Sequence, residues 1–340
     1  MSSNDGVRKK RVGVIGSFVW DVIHGRDKRA VPIEEWGGIT YALAALDAGL
    51  SDEWEIVPLL KVGEDLADRA RHFVRGLRHI APDAALVAVP YPNNRVELRY
   101  HDAERRSEFL SGGVPGWTWL GLKPLLESAK LDALYVNFLS GWELDLETAQ
   151  LLRAHFSGPI YCDLHMLVMA VQPDGLRVPR PLPDVAAWCA CFDLLQVNEE
   201  EMAMMAPDPM MLAATAMAAG VSCLSVTLGS QGSIYVAAPG FHTLNDLPTR
   251  SALATGPRGG SSALGALRTA RAPAVIANVQ GDGDPTGCGD VWGATHFSRL
   301  LSGDNLETAM NAAAKAAARN VEHRGATGLA SYLRGELHIS

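Results

Sequence analysis

The sequence lacks an apolar run long enough to cross a bilayer. Its longest apolar region, Met210 to Leu228, is broken by Thr215, Gly220, Ser222, Ser225 and Thr227 and reads as a helix, a turn at Gly220 and a strand. No membrane partner is expected. Positive charge is scarce as well. Against a formal net charge of -8, the one basic run is Arg8 to Arg11. The contiguous basic surface that a nucleic acid requires is therefore missing, and no nucleic-acid partner is expected. Cysteine is sparse: Cys162, Cys189, Cys191, Cys223 and Cys288 are odd in number and irregular in spacing, which excludes a disulfide framework and points to a reducing, cytoplasmic setting. Cys189 and Cys191 form a C-x-C with no second pair or nearby histidine pair to complete a zinc site. The polar start MSSNDGVRKKR leads straight into a strand, with no signal peptide visible. Neither G-x-x-x-x-G-K-[ST] nor, after VGVIGSFVWD, G-x-G-x-x-G occurs, so a Walker-type phosphate loop and a dinucleotide fingerprint are both absent.

What is there suits a folded α/β protein. With 48% hydrophobic and 20% charged residues over 340 positions, the chain fits one large domain, or a large domain with a smaller attachment. Val12 to Ile15 is a β-branched run of the kind found in buried strands. An irregular stretch follows, and then Gly37 to Leu50 places Leu43, Leu46 and Leu50 at helical intervals behind two glycines. A helix is expected from about Asp65 to Leu77. Val96, Leu98 and Tyr100 alternate beside an Asn93-Asn94 turn signal, which reads as an extended hairpin. From about residue 120 strands and helices alternate: ALYVNFL, PIYCDL, DLLQVN and CLSVTLG are separated by helical patterns. Such alternation implies right-handed crossovers and a mostly parallel sheet covered on both faces. Thr249 to Pro273, rich in Gly, Ala, Ser and Arg, reads as a mobile loop or surface insertion.

The densest chemistry lies in GDGDPTGCGDVWGATHFSRLL, Gly281 to Leu301. A helix N-terminus leaves backbone N–H groups unpaired and carries partial positive charge, so it attracts anions. Gly287, Cys288 and Gly289 offer consecutive amides there with little bulk to block a phosphate. Asp290, in the first turn, is placed to accept a proton from an alcohol as its oxygen attacks phosphorus. The plain alternative is a glycine-rich acidic turn with Asp290 as a helix cap.

DPTGCGDVWGA resembles the second signature of the PfkB, or ribokinase-like, carbohydrate kinase family, D-T-T-G-A-G-D-x-F-x-A, with Pro285, Cys288 and Trp292 as departures. The resemblance runs through most of the chain in order. VGVIGSFVWD is similar to the family's first strand and its substrate-binding aspartate, which maps to Asp21. WGGITYALAALDAGL resembles the paired-glycine substrate turn, giving Gly37 and Gly38, and LLKVGEDLADR resembles the V-G-x-D segment. LLQVNEEEMAMM resembles the N-x-x-E motif, which implies that Asn198 and Glu201 hold magnesium through water. SVTLGSQGSIY is similar to the nucleotide-binding T-x-G-x-x-G turn, mapping to Thr227, Gly229 and Gly232. MNAAAKAAARNVEHRGATG resembles the terminal helix, with Asn311 at the adenine position. Read without the resemblance, Asn198 caps a helix, Gly37 and Gly38 start one, and Asn311 is a solvated polar residue. In two places the pattern is broken: no asparagine follows the paired glycines in ITYALAAL, and the usual D-x-N is Asp163-Leu164-His165.

The resemblance implies a ribokinase-like, Rossmann-type α/β/α sandwich with a small β-sheet lid. Residues 1–16, 37–85 and 113–340 would form the large nucleotide-binding and catalytic domain, and 17–36 and 86–112 the lid over the acceptor. The implied activity is ATP-dependent phosphorylation of an alcohol group on a sugar or sugar-like small molecule. Asp290 is then the base and the Gly287, Cys288 and Gly289 amides the anion hole, with ATP and Mg²⁺ as cofactors and room for a monovalent cation. A nucleoside kinase, a non-catalytic sugar- or nucleotide-binding homologue and a nicotinamide-dependent oxidoreductase are the alternatives. A homodimer through the lid is compatible with this reading. Trp20 and Trp36 line the acceptor pocket, form lid core or make a dimer contact.

Overall fold

The computed structural model describes residues 8–24, 31–100, 106–248, 266–279 and 283–337. Most of the Thr249–Pro273 stretch, the first residues of the chain, and Gly281 and Asp282 lie outside them. In chain order the strands are β1 (Lys10–His24), β2 (Ile33–Gly38), β3 (Trp54–Gly63), β4 (Val87–Val89), β5 (Asn94–Tyr100), β6 (Arg106–Ser111), β7 (Ala133–Asn137), β8 (Ile160–Asp163), β9 (Met169–Val171), β10 (Arg177–Pro179), β11 (Leu194–Asn198), β12 (Cys223–Thr227), β13 (Ser233–Ala237) and β14 (Arg268–Ala272). The helices are α1 (Ile39–Gly49), α2 (Ala67–Arg75), α3 (Trp119–Ala129), α4 (Leu146–His155), α5 (Val185–Cys189), α6 (Glu199–Met205), α7 (Pro209–Ala218), α8 (Cys288–Leu301), α9 (Leu306–Glu322) and α10 (Leu329–Leu333).

The main sheet has the order β14-β13-β12-β11-β8-β7-β1-β3-β4. It is parallel from β12 to β4, with β13 and β14 antiparallel along one edge. Helices cover both faces, as a parallel sheet of near-continuous apolar strands requires. One apolar core joins α1, α8, α9 and α10 to the sheet, and the other joins α3, α4, α5 and α7. The chain leaves β1 toward β3 on one side and later fills β7, β8 and β11 on the other. The crevice beyond the carboxyl ends of β1 and β7 is thus the topological switch point, where open α/β sheets bind ligands.

β1 is much longer than the Val12–Ile15 run, and the stretch read as irregular belongs to it and to β2. Residues Lys10 to Ser17 pair with Trp54 to Lys61 of β3. From Phe18 onward the same strand pairs with β2 antiparallel, Phe18 opposite Gly38, and with β5 parallel, Val19 opposite Asn94. β6 adds to β5 to complete this smaller layer, while β4 extends the main sheet. Tertiary pairing, which no local pattern records, keeps the strand going past Gly16. Asn93 and Asn94 do not form a turn. Both are fully buried where β5 begins, and the chain between β5 and β6, residues 101–105, lies outside the described residues.

Candidate active site

α8 begins where the sequence suggests an anion cradle. Gly287 is its N-cap at φ 76°, a left-handed conformation that glycine adopts at no steric cost. A Cβ there would lie 2.3 Å from Cγ of Tyr41, whose ring packs directly beneath the turn. At Gly289 a Cβ would meet nothing closer than Gln196 Nε2 at 3.9 Å, so this backbone faces open space. The Cys288 N–H is engaged by the Pro285 carbonyl at 3.1 Å, whereas no described residue accepts from the Gly287 and Gly289 amides. The Cys288 thiol is itself pushed up to about 11 by burial, against a weaker opposing hydrogen bond from Asn320. It stays protonated at neutral pH.

Asp290 is buried in the first turn of α8, and its Oδ1 accepts from Asn137 Nδ2 at 2.6 Å. Asn137 ends β7 at the switch point. Burial raises the Asp290 carboxyl above the usual carboxylate range, while His165 and the Asn137 hydrogen bond pull it back. A carboxyl shifted toward working pH is a better-matched proton acceptor. Gln196, on β11, fixes the cradle from below: Nε2 donates to the Gly289 carbonyl at 3.0 Å and Oε1 accepts from Tyr161 at 2.9 Å.

Asp290 and these amides line a single cleft of about 720 Å³ that reaches both ways along the switch point. Toward the lid it passes Asp21 and Gly38, with an apolar wall of Val19, Val96, Leu98, Leu139 and Met166. Gly37 does not line it but lets Asp21 in: a Cβ at Gly37 would fall 1.9 Å from Asp21 Oδ2. In the other direction the cleft passes Asn198, Glu201, Thr227, Gly229 and Gly232 and ends between Val275, Ile276 and the α9 face of Ala314, Ala317 and Val321. Asn311 is exposed and stands apart from this lining. Trp20 and Trp36 are not on it either. They pack edge to face at 5.1 Å inside the lid layer, where Trp20 Nε1 donates to Glu34.

Asn198 and Glu201 form a capping box. Asn198 Oδ1 accepts from the Glu201 N–H, and Glu201 accepts from the Asn198 N–H at 2.8 Å. Glu201 Oε1 also accepts from Asn198 Nδ2 at 2.6 Å and lies 2.9 Å from His165 Nδ1. With three of about four lone-pair positions engaged, this carboxylate can still accept from one further donor. The pair therefore suits an outer contact to the water of a cation that phosphates also hold. Among the described residues, no three His, Cys, Asp or Glu side chains are grouped to hold a metal by themselves.

His165 stands where the resemblance expects asparagine. Burial works against its charge, but Glu201 and the nearby Asp163 and Asp290 outweigh this and hold the imidazole up to about 10. Asp163 is driven well above the usual carboxylate range by burial, in spite of His165 beside it. Sequence reading missed Asn137 and Gln196, and noted His165 only as a departure from the D-x-N pattern. The available signal was polar residues at the ends of otherwise apolar strands, as in YVNF and LLQVN.

Comparison with known proteins matches this geometry at the level of fold. No protein-family model and no curated protein matches the chain. Among solved structures, it is similar to a pyrophosphate-dependent kinase in the ribokinase family complexed with a pyrophosphate analogue and myo-inositol. The TM-score is 0.67 at 16% identity, over 92% of this chain and 96% of that one. It is also similar to a Burkholderia thailandensis nucleoside kinase in complex with inosine, with TM-score 0.63 at 15% identity over 96% and 95%. An Arabidopsis thaliana ribokinase complexed with ribose and ATP gives 0.62 at 15% over 96% and 99%. The chain has the ribokinase-like α/β fold.

Proposed function

We propose that this chain, built on the fold of ribokinase-family kinases, is an ATP-dependent phosphotransferase acting on an alcohol group of a sugar or sugar-like small molecule. One observation carries the reading: a buried carboxylate, Asp290, sits beside two acceptor-free amides in a cleft that joins a lid-covered end to a long second end. The acceptor hydroxyl lies between Asp21 and Asp290. Asp290 takes its proton as the oxygen attacks the γ-phosphorus and the bond to ADP breaks. The Gly287 and Gly289 amides, at the positive end of α8, meet the charge that spreads over the transferring group. The lid layer over the acceptor excludes water, which would otherwise compete as nucleophile.

The second end of the cleft favours a nucleotide over pyrophosphate as donor. Past the cradle it continues along Val275 and the α9 residues Ala314 and Ala317, an apolar stretch that a bare diphosphate would leave uncovered. No lysine lines the cleft among the described residues, and its cations are Arg177 and His165. A triphosphate in this acid-rich space calls for a divalent cation, which Asn198 and Glu201 would hold through water. Bound there, Mg²⁺ would neutralise phosphate charge.

The test is ATP consumption over a panel of sugars, polyols and nucleosides, with pyrophosphate as a rival donor. Asp290→Asn is expected to bind ATP as the wild type does and to lose about 10²- to 10⁴-fold in kcat. Wild-type turnover in that variant would remove Asp290 as the base, and silence across the whole panel would favour a non-catalytic binding protein.

A further inference from the structure

The small hairpin of β9 and β10 stands outside the main sheet and closes the lid-covered end of the cleft. Both of its ends are rooted in the body. Leu167 and Val168, which lead into it, belong to the second apolar core, and the Arg180 N–H, just past it, donates to the Val168 carbonyl at 2.8 Å. Its tip reaches the lid. β6 pairs with β5 along one edge, and the hairpin meets the other: the Leu110 N–H donates to the Gly175 carbonyl at 2.8 Å, and Phe109 bridges Leu176. Gly175 has φ 89°, and a Cβ there would lie 2.7 Å from the Leu110 carbonyl oxygen, so the approach needs glycine. Arg177 completes the grip. Its Nη1 donates to Glu108 Oε2 of β6 at 3.3 Å, and its Nη2 to the Leu139 carbonyl, just beyond β7, at 2.6 Å.

The lid is thus fixed on two sides, by β1 on one and by the hairpin on the other. The second attachment sets the width of the acceptor end. Glu108 of the lid and Leu139 of the body meet the same guanidinium, so the gap between them is spanned by one planar group and its hydrogen bonds. The side chains around it are already closed on one another. Val96, Leu98 and Leu139 line the cleft yet are only 4%, 4% and 5% exposed, and the Arg177 side chain is 3% exposed. An acceptor whose reacting hydroxyl lies at Asp290 extends toward this wall. A second ring on its far side would have to displace Arg177 or part Leu98 from Leu139, and packed interiors resist added volume.

We propose that Arg177 and the β9–β10 hairpin set the size of the acceptor: a single-ring sugar or cyclitol is admitted, and a sugar that carries a second ring, as a nucleoside does, is turned away. The proposal rests on the phosphotransferase reading for the placing of the reacting hydroxyl, and it is tested by binding as well as by turnover. Binding to the full chain is measured by calorimetry without nucleotide, over free sugars and inositols, methyl glycosides of those sugars, and nucleosides. ATP turnover is then read on the same panel. The wild type is expected to bind its best free sugar or inositol at least about tenfold more tightly than any nucleoside. Arg177→Ala combined with Glu108→Ala removes both partners of the bridge, so that neither is left buried without the other. This double variant should gain about tenfold on the nucleosides. Leu139→Ala cuts the wall from the body side without touching a charge and should shift the ratio in the same direction. In both, the change should appear in KM for the acceptor and much less in KM for ATP. A wild type that binds nucleosides as tightly as free sugars, or binds nothing on the panel, overturns the size limit. Two folded variants that keep the wild-type ratio do so as well. If neither variant folds, the wild-type ratio alone decides. A size limit seen in binding with no turnover would keep the gate and remove the phosphotransferase reading. Turnover of sugars and nucleosides alike would do the reverse.

Discussion

Buried polar residues carry both the proposed chemistry and the weak points of this fold. His296, on α8, is 1% exposed, has no partner for either ring nitrogen among the described residues, and packs edge-on to Tyr161 and at a tilt to Trp292. Burial lowers its imidazole from 6.5 to about 3. Below 6.5 the unfolded chain takes up a proton that the folded chain refuses, so stability falls as pH drops, by at most about 1.4 kcal/mol per unit for this group, until the folded value is reached. His296→Phe keeps a ring in the cluster and removes the titration. Melting curves from pH 7 to pH 4 should show the difference in stability moving in the variant's favour as pH falls, and parallel curves would exclude the assignment. The contrast with Asp290 shows what a sequence discloses at this scale. The placement of Gly287, Gly289 and Asp290 at a helix start was legible because residue type and order there are local signals. His296, Asn137 and Gln196 were not, because their roles come from burial and from partners more than ninety positions away in chain order, as Gln196 is from Gly289.

At the scale of elements, α6 raises the question of whether Glu201 is only a cap. Its carboxylate closes the capping box, which a glutamine closes equally well. Glu201→Gln should therefore keep the cap and lose stability only through the missing charge beside His165, whereas Glu201→Ala loses the cap as well, at a further cost of about 1 kcal/mol. If Glu201 also orients the water of a phosphate-bound cation, Glu201→Gln should raise KM for Mg-ATP by about tenfold when assayed well below its own melting point. An unchanged KM would leave it a cap alone. Helices such as α4, α6 and α9 were readable because periodicity and caps are local. The second half of β1 was not. Phe18 to His24 is strand because β2 and β5 flank it, and its apolar residues do not by themselves distinguish that from an irregular loop.

Over the whole molecule, the lid layer and the main sheet are one continuous strand pairing, and the angle between them is set where β1 passes from one to the other. Asn93 occupies that joint. Its Oδ1 accepts from the Gly63 N–H at 3.0 Å, its Nδ2 donates to the Phe18 carbonyl at 3.1 Å, and its own N–H donates to Asp65 Oδ1 at 2.8 Å. Phe18 is the residue at which β1 changes partners. Asn94 continues the joint, donating to Ser140 and accepting from the Val114 N–H. The V-G-x-D segment thus ties the lid to the body, and its glycine is required because a Cβ at Gly63 would fall 2.2 Å from the Asn93 nitrogen. Asn93→Ala leaves a buried N–H and a buried carbonyl unpaired, at about 1–3 kcal/mol for each. The lid strands carry Asp21, Val96, Leu98 and Glu108, whereas the described residues at the end proposed for the donor belong to the main sheet and its helices and loops. Loss of the joint should therefore raise KM for the acceptor well beyond any change in KM for ATP. Equal shifts in both would mean that the lid takes its position from the strand pairing alone, with the buried asparagines contributing stability and no geometry.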